Sequence, residues 1–164
     1  MPLEGIKVIE LATVVAAPTA GRMLSAYGAE VIKIESLAGD DYRVAGNFER
    51  VVCEDYKNPL FTIQNSGKKL TSINLKHPDG KAAMLKLLED ADVFLTNVRT
   101  GGLQRLGLDY ESLHERYPKL VYAHFSGFGP KVPLLPIPAS TALRSGCAPG
   151  RWPIGRCRAA SRLT

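Results

Sequence analysis

The sequence predicts an α/β fold, a Rossmann-like parallel sheet with helices on both faces. Three observations carry that prediction. Short runs rich in β-branched residues alternate with helical stretches along most of the chain, the order that puts helices between parallel strands. A strand, a helix and a second strand fit within about 35 residues at the start, the length of a right-handed βαβ crossover. The stops between elements have local causes, above all Gly28 and Pro78.

Ile6–Leu11 (IKVIEL) reads as a short buried strand. The helix after it has Pro18 near its first turn and apolar positions at Ala20, Met23, Leu24 and Tyr27. Gly28 stops it at the C′ position, where a left-handed backbone ends helices. Ala29–Glu35 (AEVIKIE) is the second strand. Residues 36–68 are polar and turn-rich with no clean period, a long excursion of the kind that covers a site. Thr71–Leu75 reads as a short strand. Pro78 then opens a helix at its first position, with Asp79 in the positive first turn. The stripe of that helix is Ala82, Leu85, Leu88 and Ala91, widened by Met84 and Leu87. Val93–Thr96 is the next strand. Leu103–Leu106 and Tyr110–Tyr117 are short helices, the second stopped by Pro118. Leu120–Phe125 is the last strand and runs into Ser126-Gly127-Phe128-Gly129-Pro130.

At 164 residues with 45% hydrophobic content, the chain suits one domain with a proper core. No apolar run approaches the roughly 18–20 residues that cross a bilayer, so no membrane partner is expected. The start, MPLEGIKVIEL, lacks the basic and long apolar regions of a secretory signal. Cys53, Cys147 and Cys157 show no metal-like spacing, which predicts a reducing, cytoplasmic setting.

Charge divides the chain. No acidic residue follows Glu115, and residues 131–164 carry six cations (Lys131, Arg144, Arg151, Arg156, Arg158, Arg162) against a formal total of +5. Residues 1–130 are therefore nearly neutral, and the pI of 9.2 reflects the tail rather than the core. Two units are expected: residues 1–130, and a basic 131–164 tail. The tail's charge, its five prolines and its few bulky apolar residues argue against packing. Its irregular Arg spacing and single Trp152 make a poor nucleic-acid arm, so no nucleic-acid partner is expected.

Pattern alone offers few catalytic groups. The opening strand, helix and strand end on Glu35 as a dinucleotide-binding unit would, yet the turn reads Ala12-Thr13-Val14-Val15-Ala16-Ala17-Pro18 without the required glycines. Glu35 then reads as a solvated strand end. His77, His114 and His124 have no metal-site spacing, and structural roles are expected for all three. Ser66 and Ser126 sit in no nucleophile elbow. Lys76, Arg99 and Arg105 flank strand ends, where cations suit a phosphate-bearing ligand.

Four ordered stretches carry a resemblance: PLEGIKVIELATVVAAPTAGRMLSAYGAEVIKIE at the start, Ser72–Lys81 (SINLKHPDGK), Asp92–Leu108 (DVFLTNVRTGGLQRLGL) and Leu120–Gly129 (LVYAHFSGFG). Together they resemble the N-terminal part of the family III CoA-transferases, a group that includes acyl-CoA racemases. The resemblance covers about residues 2–130 and implies an N-terminal fragment of the family's large domain. It implies coenzyme A and acyl-CoA as substrates, with no permanently bound cofactor, a carboxylic acid as second substrate, and a homodimer in the intact family. By the same resemblance Val14, Val15 and Ala16 line the CoA arm. Ile73 and Lys76 match positions near the adenine and its phosphate, Asn97 and Val98 a pair that lines the pocket, and Arg105 a phosphate contact. Val98 stands where the family has Phe, Thr100 where it has Pro, and Ser36 where Arg or Pro is usual. Residues 47–69 (NFERVVCEDYKNPLFTIQNSGKK) resemble members acting on 2-hydroxy or aryl acids.

The family reaction, as the resemblance implies it, uses an Asp carboxylate that attacks the acyl-CoA thioester to form a mixed anhydride. That Asp follows the Ser126–Pro130 segment in a Gly-Tyr/Phe-Asp context. Here Asp40, Asp41, Asp55, Asp79, Asp90, Asp92 and Asp109 all precede the segment, so no catalytic residue is assigned and the chain is expected to be inactive. The alternatives are a member of the racemase branch and a non-enzymatic basic protein that binds anions or nucleic acid. A lost reading frame would account for the missing carboxylate. Pro138–Trp152 (PASTALRSGCAPGRW) can be encoded so that a shifted frame reads Gly-Phe-Asp-Ser-Thr-Ala-Phe-Trp, the Asp codon straddling Ser140 and Thr141. Sequencing the gene tests this: the expected DNA encodes Gly-Phe-Asp in that frame, and a gene without it refutes the frame change.

Overall fold

Five parallel strands order the chain. The computed structural model describes residues 1–43 and 58–127; the expectations for Cys53, for the rest of residues 44–57 and for residues 128–164, tail included, lie outside the described residues. The strands are β1 (Lys7–Leu11), β2 (Glu30–Glu35), β3 (Lys69–Ser72), β4 (Val93–Thr96) and β5 (Val121–His124), in sheet order β3-β2-β1-β4-β5. All four pairings are parallel, with Glu10 opposite Lys33 and Glu10 opposite Leu95 on the two sides of β1. The helices are α1 (Ala16–Ala26), α2 (Pro59–Asn65), α3 (Pro78–Glu89), α4 (Thr100–Leu106) and α5 (Tyr110–Arg116). The α/β class, the parallel sheet and the helices on both faces agree with the sequence.

Alternation along the strands divides the core. Ile9, Leu11, Ile34 and Phe94 face α3, α4 and α5, meeting Met84, Leu88, Leu103 and Leu113. Val8, Val31 and Leu95 face the other way and pack with Ala17 of α1 and Ala12. Glu10 and Lys33 lie on that second face too, since residues two apart in a strand share a side. Burial on both faces makes residues 8–11 of β1 a buried run, with Glu10 its one charged member.

The ends of α1 follow local rules. Gly28, at φ 104°, sits at C′ as expected. Gly28 N–H donates to Ser25 O and Ala29 N–H to Leu24 O, the paired bonds that close a helix on a left-handed residue. Gly107, at φ 66°, ends α4 in the same conformation.

Other expectations need correction. The excursion over 36–68 contains a 3-10 turn at Asp41–Arg43 and the helix α2. Asn58 caps α2 by accepting from Leu60 N–H, and Pro59 stands at its first position, a start signal in the sequence that the absent period obscured. Strand β3 lies at Lys69–Ser72, not Thr71–Leu75, because its register against β2 ends with Glu35 opposite Ser72. Asn74 then turns the chain, its side-chain oxygen accepting from Lys76 N–H and its carbonyl from His77 N–H. The buried face of α1 is Ala17, Pro18 and Gly21, with Ala20 and Leu24 packed beside it as expected, while Met23 and Tyr27 are each 53% exposed. Ala82 is exposed as well, and Met84 with Leu88 forms the buried centre of α3. Helix α4 begins at Thr100, three residues before the expected start.

Asp109 caps α5. Its carboxylate accepts from the Ser112 hydroxyl at 3.0 Å and the Ser112 N–H at 3.3 Å. Lost solvation pushes this carboxyl up, but the Ser112 bonds outweigh it and hold the carboxyl below its ordinary value. A depressed carboxyl stabilises the fold above its unfolded pKa, about 3.9, and that contribution fades as pH falls through the folded value. Asp109→Ala is expected to lower stability by about 1 kcal/mol at neutral pH, a difference that denaturant titration should find shrinking in acid. An equal loss at every pH would contradict this account.

Candidate functional site

In open parallel sheets, ligands bind beyond the carboxyl ends of the strands, where the winding reverses. Here the reversal lies between β1 and β4, so the turn after β1, Ala12–Val15, stands at the crevice. The backbone is gripped at each residue from Leu11 to Val14. Thr96 Oγ1 donates to Leu11 O at 2.8 Å. Lys33 Nζ donates to Ala12 O at 2.6 Å. Asn97 accepts from Thr13 N–H at 3.0 Å and donates to Thr13 O at 2.7 Å, bridging the two strand ends. Val14 N–H reaches Asp40 Oδ1 over a longer 3.4 Å. Val14 has φ 71° and is the one described non-glycine residue in the left-handed region. Such a backbone costs a β-branched residue about 1–3 kcal/mol and persists only where its surroundings impose it.

Beneath the turn lies a group of four charges that sequence reasoning missed. The side chains of Glu10, Lys33, Asp40 and Lys68 are all fully buried. Lys33 Nζ stands 3.2 Å from Glu10 Oε1 and 2.8 Å from Asp40 Oδ2. Lys68 Nζ stands 2.7 Å from Glu10 Oε2 and donates to Pro18 O at 2.8 Å and Asn65 Oδ1 at 3.0 Å. Two carboxylates face two ammonium groups, so the cluster is neutral as a whole. Glu10 Oε2 and Asp40 Oδ2 accept no well-directed hydrogen bond and are satisfied by those ammonium groups alone. Burial pushes the Glu10 carboxyl up and the Lys68 ammonium down, against the attraction between them. Both directions follow from charges taken out of water. The available signal was Glu10 and Lys33, a charge inside each of the two opening strands.

A second layer orients this cluster. Arg43 grips Glu35 through two bonds of 2.8 and 2.9 Å and lies 4.0 Å over the Phe61 ring. Glu35 Oε2 also accepts Asp40 N–H at 3.1 Å. Glu35 is thus buried and paired rather than a solvated strand end, because the turn after β2 folds back over it. Asn58 joins in by donating to Tyr42 O and Arg43 O, tying this turn to α2.

The residues singled out from sequence gather at this end of the sheet to different degrees. Val14, Val15 and Ala16 form the turn and the start of α1, with Val15 39% exposed. Asn97 spends its amide on Thr13, and Val98 and Ile73 pack against the same apolar cluster. Lys76, Arg99 and Arg105 are exposed, and among the described residues none takes part in an ion pair. The histidines have local partners: His77 Nδ1 accepts from Asp79 N–H, His114 stacks on Tyr110, and His124 Nε2 lies 2.9 Å from Val98 O. Among the described residues no group of His, Cys, Asp or Glu could hold a metal, and no helix is long and apolar enough to cross a membrane.

Gly21 is where α1 meets the cluster. A Cβ there would fall 1.9 Å from Glu10 Oε2 and 3.3 Å from Lys68 Nζ. In an open helix, Gly→Ala is favourable by about 1 kcal/mol. Gly21→Ala is therefore expected to have the opposite sign, lowering the thermal midpoint, whereas a raised midpoint would show that α1 does not press on buried Glu10.

Comparison with known proteins shows the family of the chain. A sequence model described as CoA-transferase family III matches residues 3–141, past Pro130. The chain is 44% identical over 134 residues to the (R)-2-hydroxy-4-methylpentanoate CoA-transferase of Clostridioides difficile, covering 82% of this chain and 34% of that protein. It is 48% identical over 130 residues to the cinnamoyl-CoA:phenyllactate CoA-transferase of Clostridium sporogenes, covering 79% and 32%. A solved CAIB/BAIF family protein from Brucella suis superposes with a TM-score of 0.74 at 39% identity, covering 81% of this chain and 35% of that one. The chain thus spans about a third of the length of the curated relatives it matches. By the extent of the family match and the identity to these relatives, the chain belongs to CoA-transferase family III.

Proposed function

We propose that this chain carries the coenzyme A-recognising part of an enzyme that moves CoA between an acyl-CoA thioester and a free carboxylic acid. The observation that carries the reading is a family match that includes the gripped turn after β1, the segment where an α/β sheet takes its ligand. Val14, Val15 and Ala16 would line the CoA arm, with Ile73 and Lys76 near the adenine and its phosphate. Asn97 and Val98 would line the pocket, and Arg105 would contact phosphate. Exposed cations free of ion pairs suit that task, because phosphate oxygens form strong charge-assisted hydrogen bonds with them. Relatives whose names specify a 2-hydroxy acid or phenyllactate support an acceptor acid of the 2-hydroxy or aryl class.

In the intact enzyme, acyl transfer would run through an Asp-bound anhydride, releasing CoA thiolate, which returns to form an enzyme thioester before the acceptor acid is charged. No Asp follows Gly127 in this sequence. The chain would then bind CoA without transferring it, and the tail from Lys131 onward would be the product of a lost frame.

Calorimetry with coenzyme A tests the reading. Binding is expected, with NAD giving none. Arg105→Ala should weaken it by about ten- to a hundredfold, since a hydrogen bond to a charged group contributes about 1.5–3 kcal/mol. Absence of CoA binding would sink the proposal. No transfer is expected between an acyl-CoA and any free acid, and turnover above a heat-killed control would show that another group supplies the nucleophile.

A further inference from the structure

Neither the parallel sheet nor acyl transfer calls for four buried charges under α1. Well-packed apolar side chains of similar size hold a core as well as buried ion pairs, or better. What the cluster grips outside itself is more informative. Lys33 Nζ holds Ala12 O at 2.6 Å and Lys68 Nζ holds Pro18 O at 2.8 Å. Asp40 Oδ1 takes Val14 N–H. These contacts span both ends and the middle of one short segment. That segment contains Val14, whose φ of 71° a valine does not adopt unaided. Asp40 is itself fixed by Glu35 and Arg43, so the grip has a rigid base.

We propose that the buried Glu10–Lys33–Asp40–Lys68 cluster positions the ligand-facing turn, with Lys33 and Asp40 holding the Ala12–Val14 backbone in the geometry that receives the coenzyme A arm. Lys33 and Asp40 are positioning residues: both are buried, and they act through the backbone of the turn. Lys68, by holding Pro18 O, sets where α1 begins relative to that turn. This rests on the reading of Val14, Val15 and Ala16 as the lining of the CoA arm. A released Val14 relaxes to negative φ, and the turn is then in its binding geometry only part of the time.

The test uses the full 164-residue chain, coenzyme A as probe, and two variants that separate stability from positioning. Lys33→Met combined with Asp40→Leu removes one charge of each sign and leaves Glu10 paired with Lys68. It is expected to keep its thermal midpoint, while the Val14 amide coupling and shifts move to negative-φ values. The Kd for CoA should rise about tenfold if the relaxed turn is competent a tenth of the time. Asp40→Asn keeps an oxygen for Val14 N–H but leaves Lys33 short of a partner. Its midpoint should fall while Val14 signals and CoA affinity stay within about twofold. A folded double variant with unchanged Val14 signals and affinity overturns the proposal. So does affinity that falls in step with stability in Asp40→Asn, the result that decides the matter if the double variant does not fold. Val14 couplings of the unaltered chain give a check without any variant, and a negative φ there also refutes the grip. If the unaltered chain binds no CoA, the reading of the turn as a CoA lining fails, and the Val14 signals alone decide whether the cluster holds the turn.

Discussion

The Lys33 ammonium is the contact on which the turn after β1 and its surroundings depend. It lies between two carboxylates inside the sheet and holds the carbonyl of Ala12, where the central strand ends. An unpaired charge at that depth would cost several kcal/mol, so its partners cannot be varied singly. Each partner carries a separate structural duty. Glu10 brings in Lys68, which holds the first turn of α1, and Asp40 brings in Glu35 and Arg43, which shape the turn after β2.

This dependence also explains a helix face that looks wrong by hydrophobicity. A charged pair beneath α1 leaves little room, so the helix presents Ala17, Pro18 and Gly21 to the sheet. The larger Met23 and Tyr27 are turned outward as a result. On the opposite face the described cluster of buried residues is apolar, and α3, α4 and α5 pack through Met84, Leu88, Leu103 and Leu113 in the ordinary way. One sheet thus has a largely apolar side that holds it together and a mixed side that shapes the turn after β1.

Much of the fold was legible in local pattern. Gly28 and Pro78 mark boundaries by backbone geometry, and Asp109 caps by a side chain three residues from its partner. Such signals act within a few residues, so they survive without tertiary context. Helix α2 was missed although Asn58 and Pro59 announce it, because its seven residues are too few to show a period. The β3 boundary was misplaced for another reason: strand ends depend on the neighbour's register, here Glu35 against Ser72. Among candidate site residues, the turn at Val14 to Ala16 and the pair Asn97 and Val98 were proposed from family motifs. The partners that hold the turn were not.

By itself, the sequence determined the class of the fold, the order of its strands and of every helix but α2 along the chain, and the family to which they belong. Those follow from periodicity, turn chemistry and motif order, all properties of neighbouring residues. Only tertiary structure decided that Glu10, Lys33, Asp40 and Lys68 are one neutral cluster, since they come from separate parts of the chain and their types alone suggest solvated surface. It also decided that Asn97 meets Thr13 and that Val14 takes a left-handed backbone. Both depend on strands far apart in sequence lying side by side, where burial makes pairing obligatory and a turn can be held against its own preference.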